Sequence, residues 1–297
     1  MATILAATRE GLHTLGSASE SVELADRSVT FLATAGSEVW AIVDGTEIWR
    51  RADGAWTQVT AMQDLRATCL AYTDRWLIGT SEAHLFELTE GTLTRVDAFD
   101  RIEGRETWYT PWGGPPDTRS CSEWDEHVYV NVHVGGIVHT DDAGATWSPT
   151  IDIDADVHQV TTTEGMVLAA CAGGLATSQD HGATWFWRTD GLEHRYARAV
   201  TVWGDTVLLS TSRGPRGGEA AIYRAPIAGG TFERCRAGLP AWFDDNIDSH
   251  CLDAPPEGPL AALGTAGGEV YRTTDEGATW DLVTGGLAPV QRVLVMP

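Results

Sequence analysis

The chain has 297 residues, with 20 arginines and no lysine set against 42 aspartates and glutamates, for a net charge of −22. So acidic a surface repels nucleic acid and anionic membrane, and no apolar run approaches the roughly 20 residues of a membrane span, so neither partner is expected. The five cysteines (Cys69, Cys121, Cys171, Cys235 and Cys251) are scattered without a CxxC pair, which fits reduced thiols in a cytoplasmic protein.

The charge has two readings. An acidic surface suits a salt-rich cytoplasm that screens its self-repulsion, as in an extreme halophile. Replacement of Lys by Arg in a GC-rich genome is the other.

Along the chain, short strand-like runs follow one another with no amphipathic helix of convincing length. Residues 2–7 are apolar and read as a strand. Runs at 39–43, 75–79, 128–132, 166–170, 206–210 and 260–264 are equivalent strands, and 136–139 and 174–177 are the strands that follow two of them. Residues 290–296 form a closing run.

Three octapeptides, 140–147, 178–185 and 273–280, share the pattern S/T-x-D-x-G-A-T-W. Their physics is that of a hairpin turn. The carboxylates of Asp142, Asp180 and Asp275 can accept amide hydrogens of their own turns. Gly144, Gly182 and Gly277 supply a positive φ at no steric cost. Trp147, Trp185 and Trp280 cover the turns. Residues 51–56 (RADGAW) look like a decayed copy.

One landmark per repeat (Leu12, Ile48, Leu85, Ile137, Leu175, Ile222, Val270) gives a mean spacing of about 43 residues, the length of a four-stranded propeller blade. Residues 1–297 are therefore expected to form one all-β domain, a seven-bladed β-propeller of four-stranded antiparallel blades. The N-terminal run then serves as the second strand of a blade and the C-terminal run as its first, so that pairing the two removes an open edge.

The octapeptide resembles the Asp box, or BNR repeat, of sialidases, sortilin-type propellers and photosystem II assembly factors. The whole chain is similar to the WD40/YVTN/BNR-like repeat proteins of prokaryotes, a group carrying glycosyl hydrolase labels. The resemblance implies that the boxes sit between outer strands, away from a ligand face. The F/Y-R-I-P motif that sialidases carry is missing; the nearest stretch is Phe99-Asp100-Arg101-Ile102-Glu103.

Aligning the openings of the first strands places Arg27, Arg66, Arg119, His158, Arg198, His250 and Arg292 at one expected position per blade. Arginine presents a planar fork suited to carboxylate or phosphate. The functional reading is a channel mouth that captures an anionic small molecule, glycan or peptide. In four repeats an Asp stands two residues earlier, so mutual neutralisation between neighbouring blades is the architectural reading. His158 and His250, with His133 as a third, could instead ligate a metal, although neither a metal nor a cofactor is the expected outcome.

The loops of the same rim add candidates. Residues 107–116 carry Trp112 in an aromatic insertion, which either stacks on a ligand or clasps the blade edge. Arg213 and Arg216 flank backbone amides suited to an anion. Trp242 stands beside Asp244 and Asp245, and Tyr196 completes the rim. A binding or scaffold protein is the leading expectation. A hydrolase or lyase is the alternative, with His158 or His250 as base and Asp244 or Asp245 as acid. A monomer is the expected state.

Overall fold

The computed structural model describes residues 2–16 and 20–296. Seven four-stranded antiparallel sheets form the blades of a β-propeller. Blade 1 unites both chain ends: Val290–Met296 pairs with Thr3–Thr8, followed by Gly11–Leu15 and Ser21–Glu23. Blades 2 to 7 open with the inner strands Val29–Ala35, Ala67–Tyr72, Thr118–Trp124, Val157–Thr163, Tyr196–Trp203 and Leu252–Asp253.

By contacts the chain forms two compact units. One comprises Met1–Val29, Ala170–Ala176 and Trp187–Pro297; the other comprises Thr30–Ala169 and Thr177–Phe186.

Burial explains the sequence pattern of each blade. The second strands, such as Glu38–Val43, His127–Val132 and Met166–Cys171, are buried on both faces after their first residue, so they read as continuous apolar runs rather than alternating ones. A fourth strand such as Ala55–Ala61 is largely solvent-facing. All seven landmark residues stand in the third strands and are fully buried.

The cores lie between blades. In the second unit, Trp40, Ile48, Leu70 and Trp76 join blades 2 and 3, and Leu77, Leu85, Val130 and Trp147 join blades 3 and 4. In the first unit, Trp203, Ile222, Leu263 and Trp280 join blades 6 and 7, and Ile4, Leu15, Val270 and Val293 join blades 7 and 1. Each large buried side chain contributes roughly 1.5–3 kcal/mol of transfer free energy.

The three octapeptides form the same turn between third and fourth strands, as expected. In the first, Asp142 Oδ1 accepts from the Thr146 amide at 2.9 Å and from the Thr140 hydroxyl at 2.8 Å, and Oδ2 accepts from the Thr146 hydroxyl at 2.6 Å. Thr140 Oγ1 in turn accepts from the Gly144 amide at 3.0 Å. Asp180 and Asp275 repeat this network with Ser178 and Thr184, and with Thr273 and Thr279.

The residue before each glycine is also left-handed: Ala143, His181 and Glu276 have φ of 56°, 57° and 54°. The indoles of Trp147 and Trp280 donate to the carbonyls of Gly144 and Gly277 at 3.2 Å. Trp185 departs from the pattern and donates to Thr150 O of the preceding blade at 3.0 Å. The decayed copy makes a different turn. Ala52 pairs with Ala55, leaving Asp53 and Gly54 at φ 51° and 78°, a two-residue hairpin of the type that Asp-Gly favours.

Two glycines mark where an inner strand presses on the preceding blade. A Cβ on Gly79 would stand 2.5 Å from both Cys69 Sγ and Thr118 Cγ2, and one on Gly264 would stand 2.4 Å from Val290 Cγ1. Gly79→Val is expected to destabilise the fold by about 1–3 kcal/mol through overpacking, read as a lower denaturant midpoint. An unchanged midpoint would show that the blades can separate there without cost.

Hydrogen bonds from Thr146 and Thr140 hold Asp142 down at about 2; those from Thr279 hold Asp275 at about 2, and Asp180 is lowered by its Thr184 bonds. Because the folded values are depressed, this stabilisation is complete above the unfolded value of roughly 4 and is lost as pH falls through about 2. A variant with Asn at all three positions is expected to lose less stability than wild type over that window. Parallel acid-unfolding curves would refute this.

Candidate functional site

The inner strands are irregular where the basic residues stand. Register slips between Thr118 and Ser120, leaving Arg119 as the extra residue, and between Ala197 and Val200 around Arg198. In blade 3 the slip falls at Thr68, and in blade 1 at Gln291. A bulge re-aims its side chain and frees backbone groups. Thr68 Oγ1 accordingly donates to Thr118 O at 2.5 Å, and Gln291 Nε2 to Ser28 Oγ at 3.3 Å.

The expected one-position alignment is corrected by these bulges. Arg119 and Arg198 are equivalent by pairing. Arg66 stands before its strand, two residues ahead of the blade 3 bulge, and Arg292 stands one residue beyond that of blade 1. A single inserted residue shifts the register without altering composition, so the alignment by Asp-x-Arg spacing slid past it.

The cations reach carboxylates that precede the next inner strand. Arg66 Nη2 is 3.6 Å from Asp117 Oδ2, and Arg198 Nη1 is 3.3 Å from Asp248 Oδ1, with the Arg198 guanidinium 5.5 Å from the Tyr196 ring centroid. Arg27 is half-buried in the turn before blade 2. Arg292, also half-buried, opposes the upward push that burial exerts on the Asp253 carboxyl. His250 has φ of 63°, and its carbonyl accepts from the Val293 amide at 3.1 Å.

Several of the expected site residues come together within the second unit, around Asp156. His133 Nε2 is 3.5 Å from Asp156 Oδ1, and His158 Nε2 is 3.6 Å from Oδ2. His158 is fully buried at the opening of its strand, and His133 is buried in the turn after His127–Val132. Asp156 is itself left-handed, with φ of 47°, a conformation that costs energy in a residue bearing a Cβ. Burial pushes its carboxyl up, but His158, then His133 and Arg119, outweigh that and hold it below the ordinary carboxylate range.

Above this cluster stands Trp112, 72% exposed, its ring centroid 5.0 Å from that of His133 at an interplanar angle of 34°. The aromatics of the insertion separate into a packed one and an exposed one. Trp108 is the clasp, against Phe99 at 6.3 Å and under the Arg105 guanidinium at 4.9 Å, while Trp112 leaves a face open. The Thr110 hydroxyl ties the loop by donating to Gly113 O at 2.8 Å.

The first unit holds the remaining candidates. Arg213 Nη2, at 2.5 Å, and His194 Nε2, at 2.8 Å, share the carboxylate of Glu219. The amides expected to hold an anion are satisfied by backbone carbonyls, two within the loop and one from the 242–246 segment: Arg213 N donates to Gly218 O at 3.0 Å, Gly217 N to Gly214 O at 2.9 Å and Gly218 N to Asp244 O at 2.8 Å. Backbone hydrogen bonding within a compact loop is invisible to composition, which is why those amides looked available. Arg216 is exposed.

Trp242, Asp244 and Asp245 line a 250 Å³ pocket with Phe243, Glu269 and Tyr271, and the Arg234 guanidinium covers the Trp242 ring at 3.3 Å. Its walls are acidic and aromatic, and His250 is not among its lining residues. Among the described residues, no group of three His, Cys, Asp or Glu side chains is arranged to hold a metal ion. No described helix is long and apolar enough to cross a membrane.

No protein-family model and no curated protein sequence matches the chain. Solved structures do. The chain is similar to the computationally designed Ika8 protein, with 12% identity and a TM-score of 0.62 over 98% of this chain and 86% of that one. It is similar to the WD40 repeats of RRP9, with 11% identity and a TM-score of 0.63 over 90% of this chain and 83% of that one. YCF48 from Cyanidioschyzon merolae matches with 14% identity and a TM-score of 0.57 over 87% of each chain. At such identities the likeness is one of fold.

Proposed function

We propose that the chain is a binding or scaffold propeller of the Asp-box type that takes an anionic small molecule, glycan or peptide at the Trp112–His133–Asp156–His158 cluster beside Arg119. One observation carries this reading: an exposed indole lies tilted against a buried imidazole, and that imidazole and a second buried one stand on either side of one carboxylate. An open aromatic face suits a sugar or planar ring. The imidazoles and guanidinium beside it suit the negative group of the same ligand. Asp156 stands between the two imidazoles, 3.5 Å and 3.6 Å from their Nε2 atoms.

Native mass spectrometry of protein purified at high salt is expected to show a bound anionic species that Trp112→Ala or Arg119→Ala diminishes. Loss of the stacking contact alone is expected to weaken binding by roughly 0.5–1.5 kcal/mol, about 2- to 13-fold. Trp112 is exposed, so its removal leaves the melting temperature in place. Identical species on wild type and both variants, or none on any, would count against the site.

The net charge of −22 supports a second element of the proposal, a salt-rich cytoplasm as the working environment. The melting temperature is expected to rise steeply between about 0.1 M and about 3 M KCl, as the screening length shrinks from about 10 Å to below 3 Å. A flat profile would remove this element and leave the binding site untouched.

A further inference from the structure

A different part of the second unit carries its own site. Between the outer strands of blades 2 and 3 lies a cleft of 520 Å³, within the size range of small-molecule sites. Its floor is apolar. Leu65, Phe86 and Leu93 are partly buried and rest on the core between those blades, together with the buried Met62. Its rim carries both signs of charge: the Arg95 guanidinium, with the His84 imidazole beside it, and the exposed carboxylates of Asp64 and Glu82.

The cationic side is a closed network. His84 Nδ1 stands 2.6 Å from Asp100 Oδ1, and Arg95 Nε donates to Asp100 Oδ2. Arg95 Nη2 lies against the same imidazole, 3.0 Å from Nε2. Asp100 ends the four-residue helical turn Asp97–Asp100, which folds back to place it under His84. Burial pushes the Asp100 carboxyl up, and the His84 and Arg95 hydrogen bonds more than reverse that, so it stays ionised.

A second arginine stiffens the wall. Arg105 Nη1 donates to Ala83 O at 2.6 Å and Nη2 to Glu82 O at 3.0 Å. Glu82 and Ala83 are consecutive left-handed residues, with φ of 63° and 52°. Such backbone persists only where the surroundings over-determine it. Arg95 is thereby held with Nε and Nη2 engaged while its side chain remains 44% exposed at the cleft.

We infer that this cleft binds a zwitterionic molecule with a large apolar body, the class of an apolar amino acid or short apolar peptide. The ligand's carboxylate accepts from the exposed edge of Arg95, its ammonium meets Asp64 and Glu82, and its side chain covers Phe86 and Leu93. An anion alone is repelled by the two carboxylates, and a cation alone by Arg95. Neither single charge matches the rim, whereas the pair does.

The probes are L-phenylalanine, 3-phenylpropionate and phenethylamine, which share the ring and differ in charge. Isothermal titration of the full chain is expected to show L-phenylalanine binding at least about 10-fold more tightly than either singly charged analogue, the scale of one lost charged contact. Asp64→Asn, on an exposed residue, is expected to remove most of that preference over 3-phenylpropionate. Arg95→Gln is expected to remove the preference over phenethylamine, with circular dichroism confirming the fold. Absence of L-phenylalanine binding, equal affinity for all three probes, or affinities unchanged in Asp64→Asn would overturn the inference. Because Trp112 and His133 take no part, Trp112→Ala is expected to leave these affinities unchanged.

Discussion

A four-stranded blade cannot hide its own apolar surface. Each sheet is one layer thick, and its second strand is buried on both faces, so the place to bury it is against the neighbouring sheets. That constraint governs the rest. It makes Ile48 fully buried between blades 2 and 3, and Leu85 fully buried in the core shared by blades 3 and 4 and the helical turn that carries Phe99. It also demands that the inner strands approach closely enough for Gly79 and Gly264 to be the only side chains that fit at two contact points. Removing water from such surfaces is the dominant favourable contribution to folding.

Close approach has a consequence at the inner strands. Strands crowded together cannot all run in regular register, and the bulges at Arg119, Arg198, Thr68 and Gln291 release backbone and side-chain groups that reach across to the next blade. Around Arg198 the Ala199 amide donates to Ser210 Oγ at 2.9 Å, and that hydroxyl donates on to Ile247 O at 2.8 Å. The polar chemistry of the candidate site is therefore a by-product of packing. Arg119, the extra residue of one bulge, is near enough to help lower the Asp156 carboxyl electrostatically.

The fold was legible in the sequence because its signal is periodic. Seven buried landmarks and three hydrogen-bonded turns recur at blade spacing, and every copy reinforces the others. The site was legible only in part. Trp112, Arg119, His133 and His158 are legible as residue types, and the structure gathers them around Asp156. Arg66 and Arg292 were aligned one or two residues off because a bulge leaves no mark on composition. The loop at 213–218 looked rich in free amides because internal hydrogen bonds are a matter of geometry. His84 and Asp100, 16 residues apart, meet through a helical turn of one revolution, too short to show any periodicity.

The acidic excess is not a uniform shell, and this bears on how an anion could bind at all. Some carboxylates are structural acceptors: Asp142, Asp180 and Asp275 take hydroxyl and amide hydrogens, and Asp100 meets an imidazole and accepts from a guanidinium. Protonating these loses bonds, whereas protonating an unpartnered surface carboxylate relieves repulsion. The two classes therefore give pH dependences of opposite sign. A ligand approaching from solution meets the surplus of the second class. At low salt, over a Debye length of tens of ångströms, the net charge of −22 opposes any anion. In molar salt that reach contracts to about 3 Å, and only groups in direct contact count. On the proposed reading, Arg119, His133 and His158 then meet a negative group within the distance over which the charge of the whole molecule is screened.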